Sequence, residues 1–329
     1  MKTLIKIILV FLFCVNINSA ADTSNLSGFL VGDPQDVTRK TSYGIMMMGG
    51  GEEVSEAFKW FIEKAGKGDI VVIATEQRQI GSYERYLLGF GANSVESILI
   101  DTKEKANSDE INKKLLSAEG IFLPGGSQHD YVLCWKGTKV IETLEHLIYK
   151  KKIPISGTSA GMAIMGEFYF APKDTLSVDP LVSLTSVIED LGKNFINISI
   201  FKNVITDTHY DNRKRQGRHI AFMAFLRNNF NLTCIKGIGI DEATALCVEE
   251  SGMATIYGRG EVYFHISDDD PECCEPNKPI HWDKEQKAIK TYIGSKGNEF
   301  DLKNWKGRGG KWKYFYVLEG KLGCIDLST

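Results

Sequence analysis

The chain has 329 residues, 43% of them hydrophobic and 25% charged, and a formal net charge of -3. Those values suit a soluble globular protein with one large core or two smaller ones. The slight acidity excludes a general attraction to nucleic acid or anionic membranes, so any basic site must be local.

Lys2 and Lys6 precede an apolar run, Ile7 to Val15, which gives way to Asn16-Ile17-Asn18-Ser19-Ala20-Ala21. A basic region, an apolar region and a small-residue cleavage site together predict a secretory signal peptide over 1–20. The run is short for a membrane anchor, which needs roughly 20 apolar residues. The expected protein is therefore secreted or lumenal, with residues 21–40 as a linker. The sequons at Asn25, Asn197 and Asn231 agree with that route, as does the even number of cysteines left once Cys14 is removed: Cys134, Cys234, Cys247, Cys273, Cys274 and Cys324. An oxidising compartment permits disulfides among them, although sequence does not choose the pairs. The adjacent Cys273 and Cys274 lack the spacing of a zinc site, and no metal is expected.

From Ser42 the pattern alternates. Apolar runs at Tyr43 to Met48, Asp69 to Thr75, Val95 to Ile100, Gly120 to Leu123 and Lys152 to Ile155 predict buried strands. Helical spacing separates them at Val54 to Ala65, Ser82 to Leu88, Ser108 to Leu116 and Lys139 to Lys150. This predicts an α/β fold, a mostly parallel sheet with helices on both faces, whose ligands bind beyond the carboxyl ends of the strands. Glu167 to Leu191 reads as a loop or short-hairpin insertion. Strands return at Asn203 to Asp207 and Lys236 to Ile240, around an amphipathic helix from Arg218 to Asn228. Ala254 to Ile266 reads as one hairpin. Beyond Asp268 a β-rich extension stapled by cysteines is expected. No internal repeat is visible.

Three strand ends carry reactive residues. After the run ending at Ile155 comes Ser156-Gly157-Thr158-Ser159-Ala160-Gly161. Small residues around Ser159 fit a nucleophile elbow, in which a sharp strand-turn-helix lifts the serine oxygen above the sheet; they also fit a purely structural turn. In the elbow, the next backbone N–H would stabilise an oxyanion. A serine nucleophile needs a base, and His209 ends the strand Asn203 to Asp207. Of the six histidines, His146, His219, His265 and His281 fall within or at the start of other elements, and His129 lacks the polar residues that follow His209. Asp241 and Glu242 close the next strand. Either could orient an imidazole, but in an extended chain they point to opposite sides, so only one should face the site.

The Gly125-Gly126 loop follows another strand and suits a second oxyanion donor, or a turn entering a helix. Gly49-Gly50-Gly51 lacks the G-x-G-x-x-G fingerprint, so no nucleotide cofactor is expected there. Asp211 to Arg218 is the densest charge cluster outside the chain ends. Its default reading is a solvated helix start, but its place directly after His209 suits planar recognition of carboxylates. Nucleic acid fits poorly, for want of interleaved aromatics.

In order along the chain, MGGGEE, PGGSQ, GTSAGMA, DTHYDNRKRQGR and GIGIDEATAL resemble the cyanophycinase family of serine peptidases, related to aspartyl dipeptidase, over roughly residues 40 to 265. The resemblance implies a class I glutamine-amidotransferase-like fold with serine in place of cysteine, a homodimer, no cofactor, and hydrolysis of cyanophycin, a polyaspartate bearing arginine on each β-carboxyl. It implies Ser159 as nucleophile, His209 as base and Glu242 as triad acid, with the N–H groups of Gly126 and Ala160 as oxyanion hole. Substrate contacts would fall to Gln128, Asp207, Arg213, Arg215 and Arg218. The family usually has Asp-Gln-His-Phe where this chain has Asp207-Thr208-His209-Tyr210, so Thr208 replaces a substrate-contacting glutamine.

The domains expected are thus a catalytic unit at 41–267 and the extension at 268–329. The leading expectation is a secreted serine exopeptidase acting on aspartyl or β-aspartyl bonds of an aspartate- and arginine-rich peptide or polymer. The alternatives are a secreted binding protein that keeps the pocket without turnover, and an aspartyl dipeptidase with another acidic peptide as substrate. An α/β-hydrolase esterase would order its residues Ser, acid, His, which these candidates do not follow.

Overall fold

The computed structural model describes residues 28–327, so the signal-peptide reading, Cys14 and the Asn25 sequon lie outside the described residues. The first half runs β1 (Gly28–Gly32), β2 (Gly44–Met48), α1 (Ser55–Lys64), β3 (Asp69–Ala74), α2 (Glu84–Leu88), β4 (Ser94–Leu99), α3 (Lys103–Ala106), α4 (Asp109–Ser117), β5 (Gly120–Leu123), α5 (Gln128–Trp135), α6 (Lys139–His146), β6 (Pro154–Thr158) and α7 (Ala160–Ala163). The second half runs β7 (Phe168–Phe170), β8 (Leu191–Lys193), β9 (Val204–Asp207), α8 (Gln216–Asn229), β10 (Ile235–Ile240), β11 (Thr244–Glu249), β12 (Met253–Gly258) and β13 (Val262–Ser267). It ends with β14 (Ile289–Gly294), β15 (Glu299–Asp301), β16 (Lys306–Arg308), β17 (Lys311–Leu318) and β18 (Lys321–Asp326).

These strands form two sheets. The first has ten strands in the order β1-β4-β3-β5-β6-β2-β11-β12-β15-β16. Its centre, from β4 to β2, is parallel, as expected of strands that are apolar along their whole length. Alternate side chains enter different cores: Met46, Met48, Ile70 and Val72 meet Phe58 and Phe61 of α1, whereas Ile45, Met47, Val71 and Ile73 share a core with Leu115 of α4 and Leu144 of α6. The second sheet has eight strands, β18-β17-β14-β13-β10-β9-β7-β8, with α8 packed through Ile220, Phe222 and Met223 into the core it shares with Ile205 and Ile235. The Phe168 to Lys193 insertion is a hairpin of β7 and β8.

Three expectations need correction. The segment read as a linker contributes β1, which pairs antiparallel with β4 from Gly28 to Gly32. Ala254 to Ile266 is not a hairpin: β12 pairs with β11 and β15 in the first sheet, and β13 with β10 and β14 in the second. Both strands alternate as a hairpin would, but the turn between them carries the chain from one sheet to the other. Gly258 at φ +102° begins that turn, and a Cβ there would lie 2.2 Å from the Ala243 carbonyl oxygen. The cysteines, finally, do not staple the tail: all six from Cys134 onward are free. Strand pairing holds it instead, since β15 and β16 extend the first sheet while β14, β17 and β18 extend the second. No described helix is long and apolar enough to cross a membrane.

Candidate active site

Ser159 sits between β6 and α7 with φ 49° and ψ -116°, a backbone conformation that costs energy for a residue with a side chain. The neighbours make it possible. A Cβ at Gly157 would lie 2.5 Å from the Gly161 carbonyl oxygen, and one at Gly161 would lie 2.2 Å from that of Leu123, so both positions require glycine. The Ser159 N–H donates to the Met48 carbonyl at the end of β2 (3.0 Å), which pins the turn to the neighbouring strand. The result is the elbow: a half-buried serine held above the carboxyl edge of the parallel strands.

His209 follows β9, itself at positive φ (47°), with its N–H donating to the Gly49 carbonyl (2.8 Å). Its Nε2 lies 2.7 Å from Ser159 Oγ and its Nδ1 lies 2.6 Å from Glu242 Oε1. A carboxylate only accepts, so Nδ1–H donates to Glu242 and the Nε2 lone pair receives the Ser159 hydroxyl proton. Burial pushes the His209 pKa below its ordinary value; the hydrogen bond to Glu242 opposes this and the Arg213 and Arg215 charges reinforce it. The balance favours the neutral imidazole. Of the two acids after β10, Glu242 faces the ring. Asp241 turns the other way, accepting from the Asp211 N–H (2.9 Å) and the Glu261 N–H (2.8 Å).

Gly49, Gly50 and Gly51 acquire a purpose that their sequence did not disclose. A Cβ at Gly50 would lie 2.4 Å from His209 Cε1, and one at Gly51 would lie 2.9 Å from Glu242 Cβ. The glycine run is the wall against which the imidazole and the carboxylate pack.

On the other side of Ser159 lies the loop before α5. A Cβ at Gly125 would sit 3.3 Å from Ser159 Cβ. The Gly126 and Ala160 N–H groups have no acceptor among the described residues, which leaves both available to a ligand oxygen. Ser127 caps α5 by accepting from the Asp130 N–H (3.2 Å), and Gln128, half-buried, opens the helix. Two residues that sequence reasoning missed hold this loop. Glu76 Oε1 accepts from the Ser127 N–H (3.0 Å), and Gln79 Nε2 donates to the Gly125 carbonyl. Their one signal is a Glu-x-x-Gln spacing, a weak form of the capping box.

The charged cluster divides. Asp207 is 3% exposed, and Arg218 grips it with two bonds, Nε to Oδ2 (2.8 Å) and Nη2 to Oδ1 (2.6 Å). Arg215 Nη1 adds a longer contact to Asp207 (3.4 Å) and donates to the Thr208 carbonyl (2.9 Å). Burial would raise the Asp207 pKa, but the two arginines outweigh it and hold the carboxyl below its ordinary value. Burial draws Arg215 down to about 10. Asp207 and Thr208 thus face inward onto their own arginines rather than onto an open surface, and Arg218 is spent on Asp207. Arg213 alone of the three arginines is exposed, with no ion pair among the described residues. Beside Glu242 opens a cleft of about 450 Å³ walled by Glu52, Asp211, Asp241 and Arg259. No group of three or more His, Cys, Asp or Glu among the described residues is arranged to hold a metal ion.

A serine, an imidazole and a carboxylate joined in this order can perform nucleophilic acyl transfer. Cyanophycinase of Trichormus variabilis is 29% identical over 274 residues, spanning 80% of this chain and 86% of its own length. Cyanophycinase of Synechococcus elongatus is 28% identical over 227 residues, 66% of each chain. Among solved structures, a peptidase from an acI-B1 Actinobacterium superposes with a TM-score of 0.53 at 17% identity, covering 80% of this chain and 98% of that one, a likeness of fold. The profile of peptidase family S51 matches residues 45–256; the chain belongs to that family and is a serine-type peptidase.

Proposed function

We propose that this peptidase cleaves aspartyl or β-aspartyl–arginine bonds in peptides or polymers, with Ser159, His209 and Glu242 as its catalytic triad. The observation that carries the proposal is the unbroken chain from Ser159 Oγ through His209 to Glu242 Oε1, with links of 2.7 and 2.6 Å. Ser159 Oγ attacks the scissile carbonyl carbon as its proton passes to His209 Nε2. The carbonyl oxygen becomes an oxyanion that accepts from the Gly126 and Ala160 N–H groups. Collapse breaks the C–N bond, and His209 returns the proton to the leaving amine. Water, deprotonated by the same nitrogen, then hydrolyses the Ser159 ester and restores the hydroxyl. Glu242 holds the ring and offsets its charge while it is protonated.

Two features support the substrate class. Arg213, exposed beside His209, suits a free carboxylate. The acidic cleft beside Glu242 suits a guanidinium or ammonium group. The cyanophycinases among its relatives point the same way. Export belongs to the same proposal, supported by the charge and apolar pattern of residues 1–21 and by the exposure of Asn197 and Asn231.

Incubation with cyanophycin and with α- and β-aspartyl peptides, followed by mass spectrometry of the products, tests the reading. β-Aspartyl-arginine should appear with the wild type and vanish with Ser159→Ala. Equal rates in the two proteins would remove Ser159 from the mechanism, and products only from α-linked peptides would overturn the β-aspartyl assignment.

A further inference from the structure

The loop that carries Gly126 is sandwiched. One side of Gly125 lies against Ser159, and Gly126 lies against Glu76 and Gln79, where a Cβ would meet Gln79 Nε2 at 2.3 Å and Glu76 Oε1 at 2.5 Å. Gly126 adopts φ +142°, open to glycine and strained for other residues, so the loop lies flush on these two side chains. Both come from the turn that follows β3, beyond the carboxyl edge of the sheet. Within that turn they brace each other, the Glu76 N–H donating to Gln79 Oε1 (3.2 Å) and the Glu76 side chain accepting from the Gln79 backbone. Gln79 is buried, and the half-buried Glu76 also accepts from the exposed Arg78 Nε through Oε2 (2.5 Å).

The consequence lies in peptide geometry. Gln79 Nε2 donates to the Gly125 carbonyl, and in a trans peptide the following N–H points the opposite way. Fixing the Gly125 oxygen toward Gln79 therefore turns the Gly126 N–H away from Gln79, and that N–H has no protein acceptor among the described residues. The Ser127 N–H, held by Glu76 Oε1 at 3.0 Å, fixes the next peptide. The two peptides that flank Gly126 would otherwise rotate freely, and a rotated Gly126 N–H could not meet a developing oxyanion.

We infer that Gln79, braced by Glu76, is a positioning residue that sets the Gly125–Gly126 peptide so that the Gly126 N–H serves as an oxyanion donor. This rests on the serine mechanism proposed above. Neither residue touches the substrate; both act through the loop.

Gln79→Glu is the closest substitution in shape, but its carboxylate cannot donate to the Gly125 carbonyl and repels it. It should lower kcat by about 10- to 100-fold, below the roughly 10²- to 10³-fold loss on removing an oxyanion donor outright, since the N–H remains but is mispositioned. In the uncharged Gln79→Leu, KM should change by less than about threefold, and the acid limb of the pH–rate profile should not move, because His209, Glu242 and the charges around them are untouched. Affinity for a peptide aldehyde, which forms a tetrahedral adduct with the serine, should fall in parallel with kcat. Glu76→Gln keeps an acceptor for Ser127 and should stay within about threefold of wild type, whereas Glu76→Ala should fall toward Gln79→Glu. Gln79→Leu, with circular dichroism and melting temperature recorded for every variant, guards against a folding defect in the charged replacement. Wild-type kcat and aldehyde affinity in folded Gln79→Glu and Gln79→Leu would overturn the clamp alone, as would a change confined to KM. Absence of Ser159-dependent turnover in the wild type would overturn the mechanism and the clamp together.

Discussion

Two side-chain strings containing histidine lie next to each other in this protein, and they share a stretch of backbone. One is Ser159–His209–Glu242. The other passes through the next residue, Tyr210: Thr291 Oγ1 lies 2.8 Å from His265 Nδ1, His265 Nε2 lies 2.7 Å from Tyr210 Oη, Tyr210 Oη lies 3.0 Å from His219 Nδ1, and His219 Nε2 lies 3.2 Å from the Ile205 carbonyl. A carbonyl only accepts, so His219 Nε2 carries its hydrogen and the remaining protons follow in one direction. Thr291 donates to His265, His265 to Tyr210, Tyr210 to His219 and His219 to Ile205, with every polar atom satisfied. All four side chains are fully buried. Burial lowers His219 to about 4 and His265 well below its ordinary value, so both stay neutral. The two strings use the same functional groups at similar distances. What separates them is a carboxylate at one end, a serine hydroxyl at a strained elbow at the other, and access to solvent at Ser159 and Glu242. Histidine chemistry is decided by what terminates the hydrogen-bond chain, and a closed, neutral chain is structural.

Substitutions sharpen that contrast. Ser159→Ala should reduce kcat/KM by about 10⁴-fold or more with the melting temperature close to wild type, as measured by peptide turnover and calorimetry. Glu242→Gln should cost about 10²- to 10⁴-fold in kcat, because an amide no longer fixes the imidazole tautomer or offsets its charge. In the buried string the pattern reverses. Tyr210→Phe strands His265 Nε2 and His219 Nδ1 and should destabilise the fold by about 1–3 kcal/mol, read from urea unfolding, while the Ser159 hydroxyl remains reactive toward a fluorophosphonate.

The pH dependence separates the strings again. In the proposed mechanism His209 must be neutral, and its pKa is lowered, so activity should fall on acidification with a midpoint below 6.5. His219 has a folded pKa of about 4, below the unfolded value near 6.5. The unfolded chain takes up the proton first, so the stability His219 contributes is complete above about pH 6.5 and is lost as the pH falls toward 4. Melting temperature against pH should show that slope, and His219→Gln should flatten it. The smallest effect expected is Arg213→Ala, which should raise KM for a carboxylate-bearing peptide by about tenfold with kcat little changed.

Much of this was legible in the sequence because strong local constraints write themselves into it. Buried parallel strands must be apolar throughout, and the five runs from Tyr43 to Ile155 correspond to β2 to β6. The elbow must have glycine where carbonyls press on Gly157 and Gly161, so Ser159 stood out. Where contacts between distant segments decide the outcome, sequence was silent. Ala254 to Ile266 alternates whether its strands pair with each other or with β15 and β14. Gly49 to Gly51 fitted a ligand-binding loop or a plain turn equally, and only the folded chain puts His209 and Glu242 against it. The family resemblance implied substrate contacts for Asp207, Arg215 and Arg218, and nothing in their order says that they pair with one another inside the protein. Glu76 and Gln79 carried too weak a signal, because an ordinary turn uses the same spacing.

The partners of Ser159 are synthesised late. β2, whose Met48 carbonyl holds the Ser159 N–H, is bordered on one side by β6 and on the other by β11, made about 200 residues after it. Glu242 lies just ahead of β11, and the first sheet closes only with β16 near the end of the chain. A ribosome that has delivered Ser159 has not yet delivered His209 or Glu242, and pairings so distant in sequence form slowly. Under the proposed mechanism, the nascent chain cannot complete the Ser159–His209–Glu242 string until Glu242 has been made, about 80 residues after the serine.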